Sequence, residues 1–294
     1  MRLGPDQEHD QNGDDQAGDY VDHVLKRGGE MTGINTGLTD LNDVMGGYQK
    51  QDLIVIGARP AMGKTGFLLS SALSVGVPAL IQSAEMSAMQ LGLRAISANG
   101  KLDSQKIRTA NLDEEEWPRF SASVGRLSQL PIWIDEASSP TIGQVQRQAR
   151  KLKQTHGIQI LFVDYLQRLH GNNPRDSRID QVGEIARGLK SIARELDIPV
   201  VALAQVNRSV ENRPNKRPLM GDLANSSEIE KEADEIIMLY RDEVYNENSD
   251  DKGIAELGFE KNRHGPTGTV RAAWIPQYMQ FADLAVQWQE QRPY

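Results

Sequence analysis

An apolar run, a glycine-containing loop and a helical pattern follow one another near residue 60 and constrain this sequence most. The apolar run covers residues 53–56, the helical pattern begins at Lys64, and the loop between them leads into Gly63-Lys64-Thr65. At such a junction, successive backbone N–H groups and the positive end of the helix dipole form a cradle for phosphate groups. The segment therefore predicts a phosphate-binding loop, with Ala58 at the place of the first glycine of the usual pattern.

This loop predicts ATP and Mg²⁺ as ligands. The Lys64 ammonium is expected to reach the β- and γ-phosphate oxygens, and the Thr65 hydroxyl is expected to bind Mg²⁺. The full set of residues predicted to surround the phosphates is Ala61, Met62, Gly63, Lys64, Thr65 and Gly66.

Strand-like and helix-like patterns alternate along the chain from Thr32. We predict strands at residues 53–56, 77–81, 132–134, 158–163 and 199–204, and helices at residues 64–74, 87–98, 141–154 and 180–196. This alternation is typical of an α/β fold with a mostly parallel sheet that is covered by helices on both faces. Four later strand patterns, at residues 235–240, 254–260, 269–275 and 278–282, are expected to extend the sheet as antiparallel strands.

The N-terminal segment differs in composition from the rest of the chain. Residues 1–18 are rich in Asp, Gln and Gly and are predicted to be disordered. Residues 19–30 contain a short amphipathic helical pattern, which packs either on its own domain or on a neighbouring subunit. Residues 31–294 are expected to form one large domain.

Composition excludes some classes of protein. The formal net charge is −8, of which the first twenty residues carry −5, so a general basic coat is absent while a local basic lining stays compatible with the sequence. No run approaches the ~20 apolar residues of a membrane helix, so no membrane partner is expected. Cysteine is absent, which excludes disulfides and thiolate metal sites and is compatible with the cytoplasmic location that we expect.

A phosphate-binding loop also requires an acidic residue at the end of a neighbouring strand to hold Mg²⁺. Asp135 and Asp164 both follow apolar runs. We favour Asp164, because its run reads as a buried, central strand. Asp135 follows a shorter run and precedes a helix start, which is typical of a loop acid before a cap.

Two further strand ends carry polar residues that fit nucleotide hydrolysis. Glu85 follows the second predicted strand, where a carboxylate could polarise the attacking water, although a Glu at this place is also typical of a solvated loop. Gln205 follows the strand at residues 199–204, where its amide could sense the γ-phosphate. The pattern alone leaves both roles open.

Eight blocks of sequence, in this order, resemble the RecA-like motor domain of DnaB-type replicative DNA helicases. They lie at residues 32–37, 58–65, 85–87, 163–167, 184–187, 199–208, 239–243 and 261–269. The resemblance covers roughly residues 19–284.

The resemblance implies a RecA-like P-loop ATPase that forms a homo-hexamer, translocates 5′ to 3′ on single-stranded DNA and unwinds duplex DNA at the replication fork. It implies that Glu85 is the catalytic base, that Gln205 senses the γ-phosphate and that Arg94 contacts the nucleotide. It also implies that Lys261 and Arg263 reach the ATP of the neighbouring subunit, with Arg263 as the arginine finger. Under this resemblance, residues 19–30 correspond to a linker helix on the adjacent subunit.

Two features depart from the family pattern. The large N-terminal domain that contacts primase in the family has no counterpart here, so we expect a motor-only version, either a truncated form or a compact phage- or plasmid-type protein. A primase or a helicase loader stays a candidate partner. The loop that contacts DNA usually reads Asp-Leu-Arg-Glu-Ser-Gly, whereas this chain reads Asp-Leu-Ala-Asn-Ser-Ser at residues 222–227.

DNA contact is still predicted at this loop, mainly through phosphate groups. The residues expected to make it are Ala224, Asn225, Ser226, Ser227 and Arg208. Two rivals to a helicase stay open: an ATPase that remodels or recombines DNA, and a ring-forming regulatory protein that binds ATP and a replisome partner but unwinds little.

Overall fold

The computed structural model describes residues 31–173, 175–224 and 226–285. The predictions for residues 1–18 and 19–30 lie outside this range, as does Asn225. The strands are β1 (Leu53–Ala58), β2 (Ala79–Ser83), β3 (Ile132–Asp135), β4 (Ile160–Asp164), β5 (Val200–Gln205), β6 (Glu235–Tyr240), β7 (Ile254–Asn262), β8 (Gly268–Ile275) and β9 (Gln280–Ala282). The helices are α1 (Thr39–Met45), α2 (Lys64–Ser74), α3 (Ala88–Gly100), α4 (Ser104–Arg108), α5 (Glu116–Leu127), α6 (Ile142–His156), α7 (Arg178–Leu196) and α8 (Ser226–Glu232).

The nine strands form one sheet in the order β3-β2-β4-β5-β1-β6-β7-β8-β9. Strands β1 to β6 pair in parallel, and β7, β8 and β9 are antiparallel. This confirms the predicted α/β class with a mostly parallel sheet and an antiparallel C-terminal part.

The expected direction of β6 was wrong. We expected all four C-terminal strands to be antiparallel, but β6 runs parallel to β1, with Ile54 opposite Glu235 and Gly57 opposite Met238. Helix α8 lies between β5 and β6 and belongs to the crossover that a parallel connection requires. This helix is short and mostly charged, so it gave no apolar period from which to predict the crossover.

Apolar side chains fill both faces of the sheet, as expected for parallel strands. Along β1, Ile54 and Ile56 belong to one core cluster, whereas Leu53 and Val55 belong to the other. Helix α2 covers the first face, and α6 and α7 cover the second. Because both faces are buried, these strands read as continuous apolar runs in the sequence.

Four of the helices were not predicted from the sequence. These helices are short or lie away from the centre of the sheet. They are α1, α4, α5 and α8. Helix α5 packs on α3 through Ser123, whose hydroxyl donates to the Asn99 side chain at 3.1 Å. Trp117 in the same helix is 47% exposed, so it is not a core residue. Within the described ranges, no helix has the length and apolar content that crossing a bilayer requires.

Parallel pairing determines where the site lies. The carboxyl ends of β1, β2, β4 and β5 meet at one edge of the sheet. The chain segments that leave these ends bring together the phosphate-binding loop, Glu85, Asp164 and Gln205. We refer to this as the carboxyl edge, and to the edge where these strands begin as the amino edge.

Candidate nucleotide-binding site

The phosphate-binding loop runs from the end of β1 to the start of α2, as predicted. Gly63 precedes the helix with φ of 96°, a conformation that side chains disfavour. Ala61 has φ of 68° despite its side chain, and its carbonyl accepts a hydrogen bond from Arg241 at 3.1 Å. The Lys64 ammonium folds back over the loop and donates to the carbonyl of Ala58 at 2.9 Å.

Gly66 is required by a close approach between α2 and the β8–β9 hairpin. A Cβ atom at this position would lie 2.8 Å from the carbonyl oxygen of Met279 and 2.9 Å from the ring of Trp274. Both neighbours come from the far end of the chain, and Trp274 is buried at 7% exposure. The hairpin therefore forms one wall of the phosphate-binding loop, which no local pattern indicated.

Replacing Gly66 with alanine should lower the free energy of unfolding by about 1–3 kcal/mol, because the backbone carbonyl at Met279 cannot give way without moving the hairpin. The matched control is Gly92→Ala in α3, where an added Cβ meets no atom within 4 Å. That change should stabilise the chain by about 0.5–1 kcal/mol, since alanine favours the helix. Urea unfolding of the two variants measures the difference, and equal effects would contradict the close approach.

Thr65 and Asp164 lie together below the loop. The Thr65 hydroxyl donates to Asp164 Oδ2 at 2.9 Å, and Asp164 is 1% exposed. Burial raises the pKa of Asp164 above its ordinary value, against the opposing effect of the Thr65 hydrogen bond. Its second oxygen, Oδ1, has no hydrogen-bond partner among the described residues. A hydroxyl beside a buried carboxylate with an unused oxygen fits the hard oxygen ligands of Mg²⁺.

The competing acid, Asp135, lies elsewhere. It ends the edge strand β3, and its carboxylate accepts the backbone N–H of Ala137 at 3.1 Å. The structure therefore places Asp164, on a buried central strand, and not Asp135, beside Thr65. The role of Asp164 as the metal-binding acid stays a prediction.

A cavity of about 380 Å³ opens above the loop. Its lining brings together most of the residues singled out from the sequence: Ala61, Gly63, Lys64, Thr65, Gly66, Glu85, Arg94 and Gln205. Glu85 is exposed at the end of β2, so its carboxylate is accessible to a bound molecule. Arg94 reaches the cavity from α3, a helix that Ser87 caps with a reciprocal bond pair to Gln90. Burial lowers the pKa of Arg94, partly offset by Asp164 and Glu85.

The remaining lining was missed by sequence reasoning. It consists of Arg59, Pro60, Tyr165, Trp274 and Met279. Arg59 and Tyr165 fall within two of the sequence blocks, at residues 58–65 and 163–167, so these blocks could have indicated both residues. Trp274 is far from the loop in the sequence, and only the folded hairpin brings it to the cavity.

Burial lowers the pKa of Lys64 to about 8, although Asp164 and Glu85 oppose this effect. Phosphate groups bind the charged ammonium, and above this pKa the free protein must take up a proton to bind. The affinity for ATP should therefore stay level below about pH 8 and fall by up to about tenfold per unit above it. Titration of a fluorescent ATP analogue from about pH 7.5 to about pH 9.5 measures this. Lys64→Ala should bind weakly with no such dependence; a similar fall in that variant would assign the proton to another group.

Gln205 connects the cavity to a second one. Its backbone N–H donates to Gln167 Oε1 at 3.0 Å, and Gln167 Nε2 donates back to the Gln205 carbonyl at 3.3 Å. The second cavity is lined on its far side by Asn207, Arg208 and Ala224. Gln205 thus lies between the phosphate-binding loop and the segment predicted to contact DNA.

The predicted DNA-contacting residues are only partly described. Arg208 has a side chain 86% exposed, 3.7 Å from Glu211. The backbone N–H of Ala224 lies 3.5 Å from the Gln205 carbonyl, and Ser227 is exposed at the start of α8. Asn225 and the side chain of Ser226 lie outside the described part of the chain.

Lys261 and Arg263 do not join this cavity. Strand β7 runs antiparallel to β6, so Asn262 pairs with Glu235 at the amino edge of the sheet. The length of β1 separates them from the phosphate-binding loop by about 16 Å. Arg263 donates to Asp234 Oδ1 at 3.0 Å, and Lys261 donates to the carbonyls of residues 230 and 233. Within one chain, these two cations are too far away to contact the bound phosphates.

The sheet order, the strand–loop–helix junction and the Thr65–Asp164 pair define a RecA-like P-loop domain. The chain belongs to the family of DnaB-like helicase C-terminal domains, whose family model matches residues 33–283.

Curated relatives and solved structures agree with this assignment. The chain is 42% identical over 274 residues to the replicative DNA helicase DnaB of Geobacillus stearothermophilus and 41% identical to the replicative DNA helicase DnaC of Bacillus subtilis. These matches cover 92% of this chain but only 60% of either relative, so the chain spans about three fifths of their length.

Among solved structures, one isolated ATPase domain matches with a TM-score of 0.89 and 35% identity, over 92% of this chain and 98% of that one. A DnaB-like replicative helicase, described together with its interactions with primase, matches with a TM-score of 0.88 and 34% identity, over 96% and 68% of the two chains. The RadB recombinase, at 20% identity and a TM-score of 0.52, shares the fold.

Proposed function

We propose that this chain is the ATP-hydrolysing motor of a hexameric replicative helicase that translocates 5′ to 3′ on single-stranded DNA and unwinds duplex DNA at the fork. One observation carries the proposal: the two groups of residues that would form the halves of a hydrolytic site lie at opposite edges of the same sheet. The loop, Glu85 and Asp164 lie at the carboxyl edge, and Lys261 and Arg263 lie at the amino edge. Head-to-tail packing would bring one half against the other, and such packing closes into a ring when the rotation between subunits permits.

Binding of ATP would use the loop first. Backbone N–H groups of residues 61–66 orient the phosphates, and Lys64 exchanges its bond to the Ala58 carbonyl for phosphate oxygens. Thr65 and Asp164 would hold Mg²⁺, which supplies charge neutralisation at the β- and γ-phosphates when bound. Arg94 adds a second cation from α3.

Hydrolysis requires a base and a compensating charge. The exposed carboxylate of Glu85 would orient a water molecule toward the γ-phosphate and accept its proton. Negative charge that develops on the γ-phosphoryl oxygens would be stabilised by Lys64 and by Arg263 of the adjacent subunit. Supply of this cation by the neighbour makes hydrolysis depend on assembly.

Gln205 would couple hydrolysis to DNA. Gln205 lines the nucleotide cavity, while its backbone bonds to Gln167 and approaches Ala224 in the second cavity. The backbone N–H groups of residues 224–227, together with Arg208, would contact phosphates of the strand. Such contacts tolerate any sequence and weaken with salt.

The partners are proposed from the relatives. One matched structure describes a DnaB-like helicase and its interactions with primase. A primase or a helicase loader is therefore a proposed partner of the ring, and the cytoplasm is the proposed location.

The experiment measures ATP hydrolysis with and without single-stranded DNA, together with unwinding of forks that have a 5′ or a 3′ tail. We expect stimulation by single-stranded DNA and unwinding from the 5′ tail, and Lys64→Ala should lose both activities. Rings that bind and hydrolyse ATP without unwinding any fork would favour a regulatory protein. This alternative is included because Ala224 stands where the DNA-contacting loop of the family usually has an arginine. Strand exchange instead of unwinding would favour a recombinase.

A further inference from the structure

A second group of ionisable side chains lies at the amino edge, away from the nucleotide cavity. Asp52 precedes β1, Glu235 begins β6 and His264 follows β7. One ligand atom from each residue can be chosen so that all three lie within 4.8 Å of one another. His264 Nε2 is 2.7 Å from Asp52 Oδ2.

Glu235 is the unusual member of this group. It is 1% exposed, and neither of its carboxylate oxygens has a hydrogen-bond partner within the described part of the chain. A buried carboxylate without a donor is costly, and native proteins rarely retain one. Burial, with Asp52 and Asp234 close by, raises the pKa of Glu235 to about 8.

The neighbouring cations do not satisfy Glu235. The Lys190 ammonium lies 2.5 Å from Asp234 Oδ2 and 3.9 Å from Asp52 Oδ1. Arg263 also pairs with Asp234, at 3.0 Å. Both of these cations therefore contact Asp234, and neither is paired with Glu235. Within the described part of the chain, Asp52 is paired with His264 and Lys190, whereas Glu235 has no ion-pair partner.

We propose that Asp52, Glu235 and His264 form a binding site for a divalent transition-metal ion of the Zn²⁺ type. The ligand set decides the class of ion, because one imidazole and two carboxylates suit Zn²⁺ and its first-row neighbours, whereas Mg²⁺ prefers oxygen ligands alone. His264 is 45% exposed on its side chain, so the site opens to solvent and leaves room for a water ligand.

The present spacing requires only side-chain movement to receive an ion. Ligand atoms at about 2.1 Å from a tetrahedral ion lie about 3.4 Å from one another. The contact between His264 and Asp52 would have to lengthen from 2.7 Å, while all three ligand atoms already lie within 4.8 Å of one another. The His264 imidazole is exposed and lies on a turn, so it is free to move away from Asp52.

The ion would join the turn after β7 to the start of β1. The backbone N–H of His264 bonds to Asn262 Oδ1 at 3.0 Å, and Arg263 lies between these two residues. A metal ligand at position 264 therefore fixes the segment that carries Arg263. The binding proposal itself does not depend on any role of Arg263 in hydrolysis.

The test is binding of Zn²⁺ to the whole chain without nucleotide, in a background of excess Mg²⁺ that occupies oxygen-only sites. We expect one Zn²⁺ per chain by equilibrium dialysis, a Zn²⁺-dependent rise in Tm, and visible absorption bands when Co²⁺ replaces Zn²⁺. Glu235→Gln and His264→Asn should each weaken binding by about 100-fold or more. The matched control is His170→Asn, a change at an exposed histidine outside the cluster.

Glu235→Gln keeps the test independent of folding. The amide has nearly the shape of the protonated Glu235 carboxyl, which is the form that its raised pKa favours at neutral pH, so in the presence of a chelator this variant should melt close to the temperature of the parent chain. The site is supported if Glu235→Gln keeps this melting temperature and no longer shows the Zn²⁺-dependent rise in Tm. The proposal is overturned if the parent chain binds no Zn²⁺, or if Glu235→Gln and His264→Asn bind it as the parent does.

Discussion

Arg263→Ala should lower ATP turnover of the assembled ring by about 10³–10⁵-fold, the range found when an arginine finger is removed. Arg263 lies at the edge of the sheet opposite its own phosphate-binding loop, so it can act only on a neighbour's nucleotide. Nucleotide affinity should change much less, because Lys64, Thr65 and Asp164 remain in place in every subunit. Steady-state hydrolysis and nucleotide titration on the same preparation separate the two effects.

Mixing experiments test the assignment to the neighbour directly. Subunits with Arg263→Ala and subunits with Lys64→Ala are each expected to be inactive alone. In a mixed ring, some interfaces pair an intact Arg263 with an intact Lys64, and these should regain hydrolysis. If Arg263→Ala alone hydrolyses ATP normally, or if mixing restores nothing while rings form, the proposed role in trans is wrong.

A structural effect of the same change has to be separated from the catalytic one. Arg263 pairs with the buried Asp234, which Lys190 also contacts at 2.5 Å. Arg263→Lys keeps a charge for Asp234 but lacks the planar guanidinium that binds phosphate oxygens in pairs. The lysine variant should therefore match the parent in Tm and still lose most of the hydrolysis. If the lysine variant matches the parent in both Tm and ATP hydrolysis, then only the positive charge at position 263 is required and the guanidinium geometry is not.

The sequence predicted the centre of the fold better than its periphery. Strands buried on both faces and long amphipathic helices leave continuous or periodic apolar patterns, and these gave the parallel sheet. Helices α4 and α5 pack outside the sheet; α4 has only five residues and α5 leaves most of its side chains exposed, and neither was predicted. The direction of β6 depended on α8, whose charged sequence carried no apolar period.

The candidate site divides in the same way. Residues at strand ends, such as Glu85, Asp164 and Gln205, could be predicted, because parallel strands place all their carboxyl ends at one edge. Contacts between segments that are distant in the sequence could not be predicted. Trp274 reaches the loop only through the β8–β9 hairpin, and His264 meets Asp52 across 212 residues of sequence. The contact between His264 and Asp52 depends on the register of β7 on β6 and of β6 on β1, which no local sequence pattern predicts.

Glu85→Gln should lower the rate of ATP hydrolysis by about 10²–10⁴-fold while leaving ATP binding almost unchanged. The amide keeps the size of the side chain and can still position a water molecule, but it cannot accept the proton. Glu85 is exposed at the end of β2, so the change should leave Tm near that of the parent. Single-turnover hydrolysis and ATP binding, measured on one preparation, give the two quantities.

The matched control is Glu136→Gln. Glu136 is also an exposed acid just beyond a strand, but its carboxylate accepts the backbone N–H of Ala88 at the start of α3, outside the nucleotide cavity. An amide oxygen can accept that bond equally well, so hydrolysis should persist. Because Glu85→Gln should hold ATP without cleaving it, rings of this variant should stay on single-stranded DNA as long as ATP is present. If they hydrolyse ATP at the parent rate, the proton must go to another acceptor, and the position of Glu85 in the cavity would reflect only the geometry of the strand end.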